Sequence, residues 1–159
     1  MMSGHGELRR IGPEGGELLA EIRRAASQSL PWRPEDFAGL LSQPTVRCFL
    51  LIDQDADGVE GPVGYSLYAC TGDEGEIYDL AVLPDFRRSG RGKMLLLAAI
   101  IAARAQGARR IHLEVDEHNE AARKLYEALG FEVVGRRKNY YRDINGKVSD
   151  ALVMRLTLK

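Results

Sequence analysis

Residues 87–92, Arg-Arg-Ser-Gly-Arg-Gly, form a basic segment with two glycines that is suited to binding phosphate groups. The segment follows an apolar run that ends at Pro84, and it precedes a long apolar stretch of helical spacing. The first N–H groups of a helix have no partner within the helix, and glycine lets a ligand approach the backbone closely. These donors suit phosphate oxygens, and Arg87, Arg88 and Arg91 add positive charge that suits a diphosphate.

The same segment could instead be a basic turn that caps a helix and binds nothing. It matches neither of two common phosphate-binding motifs, since it lacks the Lys-Ser/Thr pair of a Walker A loop and the GxGxxG spacing. The preceding strand, Pro84 and the following helix nevertheless fit one strand–turn–helix unit. We therefore predict a ligand site at residues 87–92.

Glu114 is a carboxylate in an otherwise apolar strand pattern, Ile-His-Leu-Glu-Val at residues 111–115. In a strand of period two, Glu114 shares one face with His112, whereas Leu113 and Val115 share the other face. Glu114 either faces water or lines a cleft, where it would accept a proton directly or through a water molecule.

A helix predicted over residues 119–129 carries an asparagine and a tyrosine that could serve a site. Asn119 can cap the start of this helix, and Gly130 can end it in the left-handed conformation. Tyr126 lies four residues before Gly130. From spacing alone, Tyr126 could be a core aromatic residue or could direct its hydroxyl towards a ligand.

The elements that must position these residues follow the order β-α-α-β-β-β-α-β-α-β-β. Strands are predicted over residues 8–11, 46–52, 63–70, 76–82, 110–115, 131–141 and 151–158, and helices over 14–27, from 34, over 92–106 and over 119–129. This order predicts a single domain of mixed α/β class over residues 1–159.

Composition excludes several classes of protein. The 159 residues carry 22 Lys and Arg against 23 Asp and Glu, which argues against a generally basic nucleic-acid-binding protein, though not against a local basic patch. The longest apolar run, residues 94–103, is half the length of about 20 residues that a membrane span needs. The first ten residues lack the apolar stretch of a secretory signal. We therefore expect a cytoplasmic protein with no membrane or nucleic-acid partner.

The cysteines and histidines indicate no metal site. Cys48 and Cys70 lie in apolar strand patterns, where reduced thiols are the expectation for a cytoplasmic protein. The chain has no CxxC pair, and its three histidines are not spaced as metal ligands.

The strand–turn–helix unit resembles the GNAT superfamily of acetyl-CoA-dependent N-acetyltransferases, whose hallmark is an R/Q-x-x-G-x-G/A turn around the pyrophosphate of coenzyme A. The resemblance implies that backbone amides of residues 87–93 hold the pyrophosphate and that residues 80–82 hydrogen-bond the pantetheine arm as a further strand would. It also implies a mostly antiparallel sheet of six to seven strands, flanked by about four helices and splayed at the coenzyme site. The implied coenzyme contacts are Leu80, Ala81, Val82, Arg87, Arg88, Ser89, Gly90, Arg91, Gly92, Lys93 and Asn119.

The same resemblance implies how acetyl transfer is catalysed. An α-amino acceptor has a pKa of about 7.7–8.0, so a modest base is enough to remove its proton. Glu114 is the implied base, and Tyr126 is the implied acid that reprotonates the leaving thiolate. The implied oxyanion donor is a backbone N–H near Val82, where the family's strand carries a bulge. Glu76 is the second candidate base, and Asp79 is a weaker one.

Over residues 63–158 the chain resembles, more specifically, the bacterial ribosomal-protein alanine N-acetyltransferases. The resemblance includes the sequences GRRKNYY at 135–141 and DALVM at 150–154. It implies that the acceptor is the N-terminal α-amine of a small-subunit ribosomal protein. Tyr140 and Tyr141 would then lie beside the acceptor groove, unless the pair serves only to pack the hairpin.

Two alternative functions remain open from the sequence. One is a small-molecule amine acetyltransferase on the same fold, and the other is a non-catalytic module that binds acyl-CoA. The chain departs from close relatives at residues 116–118, Asp-Glu-His, where they usually carry a basic residue and a serine. Residues 1–62 match weakly apart from Leu-Pro-Trp at 30–32 and the helix that begins near Glu35.

Overall fold

The computed structural model describes residues 6–27 and 30–159. Within these ranges the chain forms seven strands, four α-helices and two short 3-10 turns. The strands are β1 (Glu7–Arg10), β2 (Val46–Gln54), β3 (Glu60–Thr71), β4 (Glu74–Val82), β5 (Arg110–Asp116), β6 (Glu132–Arg142) and β7 (Val148–Thr157). The helices are α1 (Gly16–Ala26), α2 (Pro34–Leu41), α3 (Arg91–Ala105) and α4 (Glu120–Ala128). The predicted element order is confirmed.

One sheet contains all seven of these strands, in the order β1-β2-β3-β4-β5-β7-β6. Neighbouring strands are antiparallel except β4 and β5, which are parallel. Pairing between β4 and β5 runs from Glu74 with Arg110 to Ile77 with Leu113 and ends there. Because both strands continue past this point, they separate in a V. The prediction of a mostly antiparallel sheet with a splay is confirmed.

Helices cover both faces of the sheet. The core on one face is formed by Leu96, Ala99, Ile100 and Ala103 of α3 and Tyr126 of α4, packed on Ile111, Leu113 and Val115 of β5. The core on the other face is formed by Leu19 and Ile22 of α1 and Phe37 and Leu41 of α2, packed on Tyr65 and Leu67 of β3. Since Leu113 and Val115 face α3, the alternation of β5 places His112 and Glu114 on the opposite face.

The first helix begins later than the sequence predicts. Residues Pro13–Gly15 form a 3-10 turn, and α1 starts only at Gly16. A Cβ atom at Gly16 would lie 2.5 Å from the carbonyl oxygen of Pro34, the first residue of α2. Glycine is therefore required where the two helices approach each other, and its weak helix propensity accounts for the tighter first turn.

The helices and the cysteines bear on two expectations from the sequence, the absence of a membrane span and the presence of reduced thiols. Among the helices of the described residues, none is long and apolar enough to cross a membrane. Both cysteines carry free thiols, Cys48 buried in the core and Cys70 partly exposed.

Candidate active site

The splay between β4 and β5 exposes one edge of β4. Beyond Ile77, the strand continues through Leu80, Ala81 and Val82 without pairing to β5. Its other edge remains paired to β3 as far as Val82 with Gly64. An extended ligand could therefore hydrogen-bond the free edge as an additional strand would. The structure places the three residues predicted to bind the pantetheine arm along this edge.

The bulge of β4 lies elsewhere than expected. Asp79 pairs with Leu67 and Ile77 pairs with Tyr68, so the unpaired extra residue is Tyr78. Pairing from Asp79 to Val82 is regular, which makes the expected bulge near Val82 wrong. The bulge coincides instead with the end of β5 pairing, because an inserted residue bends its strand and increases the local twist.

The turn before α3 presents backbone N–H groups at the open end of the splay. Gly90 precedes the helix in the left-handed conformation, with φ of 83°. The first helical hydrogen bond runs from the N–H of Met94 to the carbonyl of Gly90 at 2.9 Å. The amides of Arg91, Gly92 and Lys93 come before this bond, and the positive end of the helix dipole adds to their attraction for anions.

The arginine side chains of the turn stabilise its shape. Arg91 forms an ion pair with the buried Asp53, with 2.7 Å between Nε and Oδ2. Arg87 donates from Nε to the carbonyl of Val82 at 3.0 Å and from Nη2 to the carbonyl of Ala26. Two of the three guanidinium groups expected to contact a diphosphate thus bond to the protein, which leaves the backbone amides as the main donors. Arg88 is exposed.

A cavity of about 330 Å³ opens on the sheet face opposite α3, where β4 and β5 begin to separate. Its wall includes the carboxylates of Glu76 and Glu114, both sequence-predicted candidate bases. Parallel pairing places Glu76 next to His112, and Glu114 comes two residues later on β5. The imidazole of His112 lies 3.4 Å from a carboxylate oxygen of Glu74. The fold therefore brings both candidate bases into one polar cavity.

Glu114 is the more enclosed of these two carboxylates. The side chain of Glu114 is 20% exposed, and its Oε2 lies 2.6 Å from Nε of Arg137 on β6. The geometry is that of a close ion pair without an aligned hydrogen bond, since Oε2 lacks such a bond in the described part of the chain. Burial raises the pKa of the Tyr140 hydroxyl, and the negative charge of nearby Glu114 raises it further.

Glu76 stands at the exposed side of the cavity. Crowding by neighbouring atoms raises the pKa of Glu76 above its usual range, and the negative charge of Glu114 raises it further. His112 and Arg137 act in the opposite direction, towards a lower pKa. The cavity thus contains one carboxylate that contacts a cation, Glu114, and one whose pKa is raised, Glu76.

The raised pKa of Glu76 predicts that Glu76→Gln stabilises the fold near neutral pH. The folded chain holds the Glu76 proton to higher pH than the unfolded chain does, so this group's contribution to stability is complete below its unfolded pKa. That contribution is lost as pH rises through the folded pKa. Removing the charge should add about 0.2–1 kcal/mol to the free energy of unfolding at pH 7, the size of an exposed charge interaction.

Urea unfolding of the wild-type protein and the Glu76→Gln variant at pH 4 and pH 7 measures this effect. The two proteins should differ less at pH 4, where wild-type Glu76 is largely protonated. Glu21→Gln on the exposed surface of α1 is the control and should leave the free energy of unfolding unchanged at both pH values. A destabilised Glu76→Gln variant at pH 7 would contradict the account.

Asp79, the weaker candidate base, is engaged in structural contacts. Its Oδ2 accepts hydrogen bonds from the hydroxyl of Tyr65 at 2.5 Å and from Nη1 of Arg23 at 2.7 Å. The guanidinium of Arg23 also stacks on Trp32, 4.7 Å from the ring centroid. This cluster joins β3 and β4 to α1 and to the segment before α2, and no pattern in the sequence indicated it.

Tyr126 lies on α4, which packs beside the splay, and Asn119 directly precedes this helix. Tyr126 is buried, with its ring centroid 5.8 Å from that of Phe131. Burial raises the pKa of Tyr126, and the negative charge of Asp79 across the gap raises it further, so the phenol stays protonated. Asn119 caps the helix by accepting the N–H of Ala122 at 3.2 Å. The predicted cap is confirmed, and the side-chain oxygen of Asn119 already accepts one hydrogen bond.

Comparison with known proteins relates the whole chain to acetyltransferases. Residues 17–131 match the model of the acetyltransferase (GNAT) family. The [ribosomal protein bS18]-alanine N-acetyltransferase of Haemophilus ducreyi is 33% identical over 140 residues, which cover 88% of this chain and 92% of that one. The corresponding Salmonella typhimurium protein is 32% identical over 132 residues, covering 83% of this chain and 84% of its own.

Solved structures show the same architecture. The crystal structure of the ribosomal-protein-S18-alanine N-acetyltransferase from Escherichia coli superposes with a TM-score of 0.83 at 28% identity, covering 97% of this chain and 94% of that one. Arabidopsis thaliana NAA60 in complex with acetyl-CoA has a TM-score of 0.79 at 19% identity, covering 96% and 98% of the two chains. The second likeness concerns the fold alone.

Proposed function

The chain belongs to the acetyltransferase (GNAT) family, and we propose that it transfers the acetyl group of acetyl-CoA to the N-terminal α-amine of a protein, with the ribosomal protein bS18 as the first acceptor to test. The observation that carries this proposal is the cavity shared by Glu76 and Glu114 at the splay of β4 and β5. Relatives that act on bS18 cover most of this chain. An enzyme with a ribosomal acceptor works where ribosomes are, so we place it in the cytoplasm.

The donor site in this proposal lies along the free edge of β4 and the start of α3. Backbone amides from Arg87 to Lys93 bind the pyrophosphate, and residues 80–82 bind the pantetheine arm. The left-handed Gly90 and the ion pair of Arg91 with Asp53 support this assignment, because they hold the amides in place before any ligand arrives. Asn119 lies at the head of α4, where its amide group contacts the coenzyme in addition to capping the helix.

Glu114 and Tyr126 have complementary roles in this proposal. Glu114 removes the proton of the α-ammonium group, directly or through a water molecule, so that the neutral amine can attack. Tyr126 donates its proton to the sulfur as the C–S bond breaks. Because a thiol has a pKa of about 8.5, below that of a phenol, the transfer is completed when the nitrogen of the forming amide gives its second proton to the phenolate. Burial raises the pKa of Tyr126, so its hydroxyl is protonated and can donate a hydrogen bond to the sulfur as negative charge develops there. Acetyl-CoA supplies the acyl group, and no metal ion is needed.

The acceptor groove in this proposal lies between the segment before α2 and β6. The N–H of Leu30 donates to the carbonyl of Arg142 at 3.3 Å, which joins these two parts across the sheet face. Tyr140 and Tyr141 pack edge to face at 5.1 Å between ring centroids and line the β6 side. This arrangement favours an extended chain end as the acceptor, since the amine must reach Glu114 beneath bridging elements.

A panel of acceptors tests the proposal. Initial rates with acetyl-CoA are compared for peptides with free N-termini, for polyamines and for aminoglycosides. We expect kcat/KM for alanine-starting peptides to exceed that for every small amine. Faster acetylation of a polyamine would assign the enzyme to small-molecule substrates, and coenzyme binding with no turnover would indicate a binding module.

Gly90→Ala should weaken acetyl-CoA binding by about 5–30-fold. An alanine in the left-handed conformation costs about 1–2 kcal/mol, so the variant's turn relaxes and the ligand must restore its shape. The φ of Gly90 is 83°, and the space around its Cβ position is open, so no steric clash contributes. Isothermal titration calorimetry gives the dissociation constant directly.

Gly58→Ala is the matched control for this measurement. Gly58 also has an open Cβ position and a φ of 80°, but it lies in the hairpin between β2 and β3. The control should lose a similar amount of stability and bind acetyl-CoA as the wild-type protein does. Equal affinity of the Gly90→Ala variant and the wild-type protein would remove this turn from the donor site.

A further inference from the structure

We infer that Asp150 is a positioning residue for the acceptor, because its carboxylate holds the bulge of β6 that begins directly after Arg137 and contains Tyr140, the two side chains beside Glu114. The inference rests on the proposed function, since Glu114 is the proposed base. It adds a residue outside the cavity wall that sets the shape of the acceptor side.

The bulge interrupts the pairing of β6 with β7. Arg137 pairs with Ala151, and the next paired residue of β6, Tyr141, lies opposite Ser149. The three residues 138–140 therefore face only Asp150. A bulge of this kind redirects side chains and increases the twist of its strand.

The bulge includes a residue in the left-handed backbone conformation. Asn139 has a φ of 54°, in the left-handed region that few residues other than glycine adopt. β6 is the last strand of the described sheet, so β7 is its only strand neighbour there. On its other side no described strand pairs with the bulge, so side chains are the groups that can hold its shape.

Asp150 supplies that support through both carboxylate oxygens. Its Oδ1 accepts the N–H of Asn139 at 2.9 Å, and its Oδ2 accepts Nη1 of Arg136 at 2.9 Å. The same Nη1 lies 2.9 Å from Oε1 of Glu117, whose Oε2 accepts the N–H of Asp150 at 2.9 Å. Glu117 follows β5 directly, so this network ties the bulge to the strand that carries Glu114.

The bulge adjoins one of the side chains that cover Glu114 and contains the other. Arg137, on the same face as Glu114, comes directly before residue 138, and its Nε lies 2.6 Å from Oε2 of Glu114. Tyr140 lies within the bulge, close enough to Glu114 for that carboxylate's charge to raise the pKa of the tyrosine, after the larger effect of burial. An acceptor ammonium must approach Glu114 past these two side chains. A relaxed bulge would thus weaken acceptor binding, whereas the turn at residues 87–93 makes none of these contacts.

Steady-state kinetics of Asp150→Ala test this inference. We expect KM for an alanine-starting peptide to rise at least tenfold, kcat to stay within about threefold of the wild-type value, and the dissociation constant of acetyl-CoA to stay unchanged. Asp150→Asn should recover most of the loss, because an amide oxygen can still accept the N–H of Asn139. A purely structural role would lower stability without this selective change in KM.

A matched control and a second measurement complete the test. Asp55→Ala removes a carboxylate that accepts two backbone N–H groups in the hairpin between β2 and β3, and it should leave KM unchanged. Amide hydrogen exchange at Asn139 should accelerate in Asp150→Ala and much less in Asp150→Asn. Unchanged exchange or an unchanged KM in Asp150→Ala would overturn the inference.

The proposed function and this inference can fail separately. If the wild-type protein acetylates a small amine instead of any peptide, the proposed acceptor is wrong, and KM for that amine becomes the kinetic readout. The exchange measurement needs no acceptor at all. Accelerated exchange together with an unchanged KM would leave Asp150 as a stabilising residue only and would also overturn its positioning role.

Discussion

Glu114→Gln should lower kcat by about 10²–10⁴-fold near neutral pH, the range expected when a general base is removed. The amide keeps the size of the side chain and can still contact Arg137 and Tyr140, so the loss would reflect the missing base. At pH above the pKa of the α-amine the acceptor is already neutral, and the defect should shrink. Initial rates across pH 6–10 with an alanine-starting peptide measure both effects.

Glu76→Gln is the comparison that decides between the two carboxylates. Glu76 lies in the same cavity, and its pKa is raised by crowding and by the charge of Glu114. We expect a smaller loss of kcat than for Glu114→Gln. A larger loss would place the base on β4 and leave Glu114 as the partner of Arg137.

Tyr126→Phe should lower kcat by about 10²–10⁴-fold, because it removes only the hydroxyl that protonates the leaving thiolate. The ring of Tyr126 packs against Phe131, and phenylalanine keeps this contact without leaving a cavity. The dissociation constant of acetyl-CoA and the unfolding temperature should therefore stay close to the wild-type values. Stopped-flow measurement of thiol release reports the affected step.

Tyr68→Phe is the matched control for Tyr126→Phe. Tyr68 is buried in the same core cluster, and its hydroxyl accepts a hydrogen bond from Arg10 at 3.2 Å. Tyr68 lies on β3, which does not border the splay. Removing its hydroxyl should therefore leave kcat unchanged. An unaltered rate of thiol release in Tyr126→Phe would exclude that tyrosine as the acid.

The order of the elements could be predicted because each element has a local signal. Asn119 and Gly130 bracket α4 as the sequence predicts, with Asn119 bonded to the N–H of Ala122 and Gly130 at a φ of 101°. The alternation of residues 111–115 likewise predicted that Glu114 lies on the face opposite Leu113 and Val115, and both of these residues are buried. Both signals depend only on residues close together in the chain.

Contacts between distant residues carried no such signal. Arg91 is expected from composition to attract a diphosphate, but it pairs with Asp53, 38 residues away. The bulge at Tyr78 depends on how β3 and β5 meet β4, which local periodicity does not encode. Arg137 reaches Glu114 only because β6 folds back to pair with β7, which pairs with β5 in turn. The residue types that could perform the chemistry were thus predictable from the sequence, whereas the contacts between them were not.

The position of the transferred acetyl group tests the central proposal most directly. The enzyme is incubated with isotope-labelled acetyl-CoA and a peptide that has an N-terminal alanine and an internal lysine, and fragment mass spectrometry locates the label. The account predicts label on the alanine α-amine, and none when that amine is blocked beforehand. Label confined to the lysine side chain, or transfer to polyamines but to no peptide, would contradict it.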